Sequence, residues 1–403
     1  MKQMHGIKLN RAPEWAFSFV QAGFWMSFCT GVSFAAVYLQ ALAYSNGVLG
    51  LILALGSTMG IAVSITLSAW IDRDRKITAK KLVPWILTCQ TVSIIILLLI
   101  NARCLAVSAA FVTYIGFCTT VNALNLKLYA DADHAGFHIN YGFTRGIGSL
   151  AYVFISIVLG LAIERISFRI LPVFGLILCA VQFLTFILFS RFVTNEQKAD
   201  PFGERNSTLT AFLRNNPRYS VLLMGVVLLF FGHSIACNFL INLTRHVGGG
   251  TTDMGFINAF KGIVEIPIMF LYVRLFKEGR HALALRISAV SFVLKTLAFI
   301  LSEKVWHLTA AFILQAPSYA LYMSAVVAYV KENLDYQDSA KAQSLAFTTT
   351  TLGGMLASLV GGLLYDCMSV TATLWFAFAI GIAGAVVMFL GTRRPDRQYV
   401  RTR

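Results

Sequence analysis

The chain has 403 residues, of which 57% are hydrophobic and only 13% charged, with a formal net charge of +15. Soluble domains carry about 25% charged residues, and a chain of this length cannot hide so much apolar surface in water. A soluble enzyme or binding module is excluded, and the positive balance has to be judged by where it lies along the chain before it is read as a nucleic-acid footprint.

Twelve apolar stretches follow one another, at 15–39, 47–70, 82–101, 105–126, 140–163, 168–190, 219–243, 254–275, 284–302, 306–329, 343–365 and 369–391. Each is about 20 residues, enough to cross a hydrocarbon core of about 30 Å as a helix. The run ahead of Ala41-Leu42-Ala43 is too long for a signal peptide and reads as a retained first span. Of the 33 Lys and Arg residues, 25 fall on the N-terminal side of the spans and 5 on the opposite side, with Arg169, Arg274 and Arg286 at span edges counted with the side they adjoin; Arg145, Lys261 and Lys295 lie deep inside spans. This asymmetry predicts cytoplasmic termini and a multi-pass protein of the cell membrane. The basic charge is therefore topological, and no nucleic-acid partner is expected. The seven cysteines lie in or beside spans and form no CxxC pair, so neither a disulfide framework nor a metal site is predicted.

The longest polar interval, 193–218, separates two sets of six spans. The predicted organisation is an all-α membrane protein with an N-terminal six-helix bundle at 1–192, a cytoplasmic linker at 193–218, and a C-terminal bundle with a short basic tail at 219–403. Two such halves with a site between them near the midplane are common in transporters. Charged loops recur at equivalent places in both halves, Asp72-Arg73-Asp74-Arg75-Lys76 and Lys277-Glu278-Gly279-Arg280.

Three motifs carry a family resemblance. Ser68-Ala69-Trp70-Ile71-Asp72-Arg73-Asp74-Arg75-Lys76 resembles the loop 2–3 signature of the major facilitator superfamily, with Ser68 and Arg75 where glycines are usual. Tyr141-Gly142-Phe143-Thr144-Arg145-Gly146-Ile147-Gly148-Ser149 is similar to the start of span five in the branch of oligosaccharide:proton symporters (lactose permease) and 3-phenylpropionate permeases. Glu265-Ile266-Pro267 and Gln315 fit the same branch. The resemblance covers the whole chain and implies a twelve-helix transporter working by alternating access, with Asp72 and Arg73 in a gating loop.

It also implies roles for individual residues. Arg145 corresponds to a substrate-binding arginine, Tyr152 to an aromatic residue that stacks on substrate, and Ser149 lies between them on one helix face. The partner acid expected late in span four is missing; Asn122, Asn125 and Lys127 stand there, so lactose is not the expected substrate. Lys295 corresponds to a cationic member of a proton-coupling network. Ser318 and Leu321 stand where the branch has its histidine and glutamate, so that relay is absent and any proton coupling is rewired.

The residue chemistry leads in the same direction. A charge at mid-bilayer costs about 2.5–3.5 kcal/mol on insertion scales, so each one calls for a function. Lys261 and Glu265 are four apart in span eight and are predicted to pair. Glu265 is the only acid deep in a span. Desolvation and Lys261 act on it in opposite senses, which suits a proton carrier. His233 and Lys295 complete the expected charge network. Trp25, Tyr114, Asn238, Gln315, Tyr319 and Tyr322 are candidates to line the cavity. The excess of buried cations over the single acid favours a small organic anion over a neutral sugar.

No GxxxxGK[ST], HExxH or GxSxG motif occurs, which argues against ATP as the energy source and against an enzyme. The expected function is secondary active transport, with proton-coupled symport of a small organic solute, anionic or sugar-like, in the lead. The alternatives are efflux of amphipathic compounds and a membrane sensor that binds without transporting. No metal or organic cofactor is expected, the proton gradient being the energy source, and the protein is expected to be a monomer in the bilayer with a small-molecule substrate.

Overall fold

The computed structural model describes residues 11–74, 77–100, 102–137, 139–193 and 208–393, with the side chains of Asp72, Asp133, His134, Tyr336, Gln337 and Ala340 excepted. Among the described residues, twelve helices are long and apolar enough to cross a membrane. They are α1 Ala12–Ala41, α2 Asn46–Ile71, α3 Ala79–Leu99, α4 Leu105–Ala132, α5 Tyr141–Arg165, α6 Ile170–Ser190, α7 Pro217–Asn238, α8 Thr251–Leu275, α9 His281–Ile300, α10 Val305–Asn333, α11 Lys341–Cys367 and α12 Val370–Gly391. A short helix, Leu209–Asn215, precedes α7. Most of the predicted linker, residues 194–207, lies outside the described residues.

Local chemistry sets several helix starts. Ser45, Asn140 and Ser369 accept the backbone N–H of Val48, Phe143 and Ala372 at 3.3, 3.1 and 3.2 Å, each satisfying one of the donors a helix leaves unpaired in its first turn. Large apolar side chains such as Trp85, Leu99 and Val273 are exposed on the outer surface. In a chain of this composition those faces meet lipid, while the interior combines large apolar side chains such as Phe17, Phe34 and Leu39 with buried polar ones such as Gln90 and Asn125.

The helix contacts repeat with an offset of six. In the first half α1 packs on α5 and α6, α4 on α2 and α3, and α3 on α6. In the second half α7 packs on α11 and α12, α10 on α8 and α9, and α9 on α12. Two six-helix bundles result, related by a pseudo-twofold axis. They meet chiefly through α5 against α8 and α2 against α11, which are themselves equivalent pairs.

Three of the central helices are irregular. A π-helical turn at Cys29–Ser33 interrupts α1, and Phe34 after it leaves helical geometry at φ −101°, ψ 6°. The equivalent helix α7 breaks at Phe239, φ −114°, ψ 32°, before a further helix Leu240–His246. In α10 a 3-10 turn at Phe312–Leu314 runs into a π turn at Ala316–Ala320 that holds Pro317. Such insertions re-aim side chains and are frequent at functional sites.

Candidate functional site

A cavity of about 280 Å³ lies between the two bundles at the level of these irregular turns. Its walls come from α1 (Trp25, Phe28, Val32, Ser33), α5 (Arg145, Ser149, Tyr152), α7 (Phe230, His233, Ser234, Cys237, Asn238), α8 (Asn258, Lys261, Gly262, Glu265) and α10 (Gln315, Tyr319).

The wall from the first bundle centres on Arg145. Its guanidinium donates to Ser149 Oγ at 2.9 Å, and Cζ stands 3.8 Å from the centroid of the Trp25 ring. The indole is held by its own N–H, donated to Gln21 Oε1 at 3.2 Å. Gly148 permits this approach, since a Cβ there would lie 2.7 Å from Trp25 Cδ1. A planar cation on an aromatic face gains about 0.5–2 kcal/mol. The stacking fixes the guanidinium and leaves most of its five donors unused.

Tyr152 connects the bundles. Its hydroxyl donates to Asn258 Oδ1 at 3.3 Å and lies 2.9 Å from Ser33 Oγ, which then donates to it. Lys261 Nζ donates to the same Asn258 oxygen at 3.0 Å. The Asn258 amide nitrogen is buried and has no partner. Asn258, Lys261 and Arg145 thus present unused N–H donors to one space.

A second chain of contacts runs behind the cavity in the C-terminal bundle. Glu265 Oε1 accepts from Gln315 Nε2 at 2.8 Å, and Gln315 Oε1 accepts from Lys295 Nζ at 2.8 Å. Lys295 Nζ also donates to Ser318 Oγ at 3.0 Å and lies 3.1 Å from His233 Nδ1. Lys295 is completely buried, with no carboxylate in contact. An ammonium there donates to all three partners; a neutral amine donates to two and accepts from an Nδ1–H tautomer of His233. The network is satisfied in either state, so this group is able to change charge without losing its contacts.

Most of the residues predicted from sequence meet here. Arg145, Ser149, Tyr152, Trp25, Asn238, Gln315, Tyr319, Glu265, Lys261 and His233 line the cavity, and Lys295 sits one hydrogen bond behind it. Three expectations need correcting. Lys261 and Glu265 share the cavity but do not pair directly: Asn258, one turn earlier, holds the ammonium, and Gln315 from α10 holds the carboxylate. Tyr322 is buried in the core of the second bundle, because the π turn in α10 shifts the helical register between it and Tyr319. Tyr114 points away, its hydroxyl donating to the Ser27 carbonyl while its ring fills the space opposite Gly31. Of the expected gating loop, Arg73 is exposed at the end of the helix that begins at Asn46, and the side chain of Asp72 lies outside the described residues.

Two lining residues, Ser33 and Asn258, are not among those expected from the sequence. Asn258 had a signal, for Asn258, Lys261 and Glu265 at i, i+3 and i+7 form one polar stripe on an apolar helix. Ser33 had none, because its inward direction depends on the π turn that contains it.

The residues 63–376 match the MFS_1 like family. No curated protein matches the chain in a sequence comparison. Solved structures do match over almost the full length. The nucleoside transporter NupG is 16% identical, with a TM-score of 0.75 over 94% of this chain and 98% of that one. A peptide transporter of the POT family, in an autoinhibited state, is 11% identical, with a TM-score of 0.74 over 95% and 97% of the two chains. A bacterial homologue of the human lysosomal transporter Spinster, inward-facing and unoccupied, is 13% identical, with a TM-score of 0.65 over 96% and 98%. At these identities the likeness shows the fold, which is the one the sequence motifs implied, whereas nothing in it singles out the lactose permease branch. The profile match covers well over half of the sequence, and the chain belongs to the MFS_1 like family of twelve-span membrane transporters.

Proposed function

We propose that this protein is a proton-coupled symporter of a small organic anion, working by alternating access in the cytoplasmic membrane with both termini on the cytoplasmic side. A single observation carries this reading. One cavity between two pseudo-symmetric bundles presents the unused donors of Arg145, Lys261 and Asn258, while its only acid, Glu265, is tied through Gln315 to the buried Lys295. An anionic group on the substrate answers the cationic wall, and Trp25, Phe28, Phe230 and Tyr319 offer aromatic surface to the rest of it. Glu265 is the group suited to carry the proton, because it is the one carboxylate among the described residues that line the cavity.

Uptake into proteoliposomes under an imposed inward proton gradient tests the function. We expect accumulation of at least one member of a panel of aromatic acids, sugar acids, sugars and nucleosides, with anions favoured. No uptake of any member would end the symport reading; saturable binding without flux would make the protein a sensor. Outward movement of amphipathic compounds would favour efflux.

Arg145→Lys tests the binding wall. A lysine at this position loses both the stacking on Trp25 and the fork of donors that suits a carboxylate. Affinity for the transported anion is expected to fall about 10- to 100-fold in a binding titration, since a charge-assisted hydrogen bond and the cation–π contact are lost together. Wild-type affinity would show that Arg145 does not touch substrate.

A further inference from the structure

Away from the cavity, at the end remote from the N-terminus, the two bundles are joined by a contact that occurs twice. Glu164, in the last turn of α5, reaches the first turn of α8. Its Oε2 accepts the Thr252 backbone N–H at 2.8 Å and the Thr251 hydroxyl at 3.3 Å. Asp366, in the last turn of α11, reaches the first turn of α2. Its Oδ1 accepts the Asn46 backbone N–H at 2.8 Å and the Asn46 side-chain amide at 3.0 Å, and its Oδ2 accepts the Gly47 N–H at 2.7 Å.

The surroundings are duplicated as well. Four residues before each acid stands a glycine that lets the facing backbone in. A Cβ on Gly160 would lie 2.8 Å from the Thr251 carbonyl oxygen and 3.1 Å from Gly255 Cα. A Cβ on Gly362 would overlap the Asn46 carbonyl oxygen and lie 3.1 Å from Gly47 Cα. Four residues earlier again, the carbonyls of Ser156 and Ser358 press on Gly255 and Gly50. The sequence Ser-x-x-x-Gly-x-x-x-acid therefore occurs in both α5 and α11. α2 is the pseudo-symmetric counterpart of α8, and α5 of α11, so one latch has been built twice.

We propose that Glu164 and Asp366 are paired positioning residues that hold this end of the cavity closed, each by capping a helix of the opposite bundle. The proposal rests on the reading of the chain as an alternating-access transporter. The glycines supply close packing, which is geometric and has no charge. The carboxylates supply a hold that is directional and reversible. Backbone N–H groups in the first helical turn have no intrahelical acceptor, and a carboxylate there makes charge-assisted bonds and meets the positive end of the helix dipole. Both acids are exposed. On separation, water replaces the carboxylate at the N–H groups and hydrates the acid, so the net strength of each contact stays modest. Such a contact biases the equilibrium without trapping it, as repeated opening requires. Because the two latches sit on equivalent helix pairs, they release together when the bundles rock as rigid bodies.

The test is a distance measurement across this end by double electron–electron resonance. Spin labels are placed at Ile166 and Leu301, which follow α5 and α9 and are 69% and 68% exposed. The exposed native cysteines Cys89 and Cys367 are replaced by serine. Glu164→Ala and Asp366→Ala are each expected to raise the ratio of long to short distances about fivefold, the scale of a lost helix cap, and together about 25-fold. Glu164→Gln and Asp366→Asn, which keep an acceptor oxygen without the charge, are expected to fall between. An unchanged distance distribution in the double alanine variant overturns the proposal. If that variant does not fold, the Gln/Asn pair is judged by the same criterion. The readout needs neither substrate nor proton gradient. A shift in distances with no transport sinks the proposed function and leaves the latch standing; transport with no shift does the reverse.

Discussion

Glu265→Gln is expected to abolish proton-driven accumulation and to spare exchange. The substitution keeps the size of the side chain, and its amide oxygen still accepts from Gln315 Nε2, the contact now made at 2.8 Å. What disappears is the ability to take up and release a proton. Substrate counterflow moves one molecule in as another moves out and needs no net proton movement, so exchange is expected near the wild-type rate. Net uptake driven by an inward proton gradient is expected to fall at least about 100-fold, the lower range of what a single proton-transferring side chain contributes. The comparison is made on one preparation of proteoliposomes, with radiolabelled substrate on both sides for exchange and on the outside only for uptake. Unchanged driven uptake would remove Glu265 as carrier. Loss of both activities would instead assign it to substrate binding.

How far the sequence reached is clearest in span eight. Hydropathy placed this span at 254–275, and the helix runs Thr251–Leu275. The other spans agree similarly, with helices often running a few residues into the polar flanks. The cause is physical: every spanning segment has to satisfy its backbone internally, so apolar length alone defines the helix. The charges in the span were equally visible, because an ionisable residue stands out against hydrocarbon. Their partners were not. An i, i+4 spacing made Lys261 and Glu265 a natural pair, yet Asn258 and Gln315 take those contacts. Periodicity says which residues share a face, whereas the choice among partners depends on neighbouring helices. The π turns at Cys29–Ser33 and Ala316–Ala320 had no sequence reading at all, and they decide that Ser33 faces the cavity and Tyr322 does not.

Lys295→Met is expected to uncouple transport while leaving the fold as stable as before, or more so. Two effects on stability oppose each other. Removing the amine takes a donor from Gln315 Oε1, Ser318 Oγ and His233 Nδ1, contacts of 2.8, 3.0 and 3.1 Å. A buried polar group left unpaired costs about 1–3 kcal/mol. Here the penalty is limited. Gln315 and His233, though themselves buried, border the cavity, and the Ser318 hydroxyl keeps its own bond to the Leu314 carbonyl at 2.6 Å. Against this stands the burial of an amine that is 0% exposed and touches no carboxylate. Replacing buried ionic groups by an apolar side chain of similar volume is commonly neutral or stabilising by about 1–4 kcal/mol, and methionine fills the same space beside Phe292, whose ring centroid lies 4.7 Å from the amine. The melting temperature of the purified variant is therefore expected to hold or rise. Gradient-driven uptake is expected to be lost, because Gln315 is no longer fixed between Lys295 and Glu265. A marked fall in melting temperature would show that Lys295 is kept for the fold. A stable variant that no longer couples would show that the chain retains a residue its fold does not need, and that the chain Lys295–Gln315–Glu265 is where a charge change in the second bundle is communicated to the cavity.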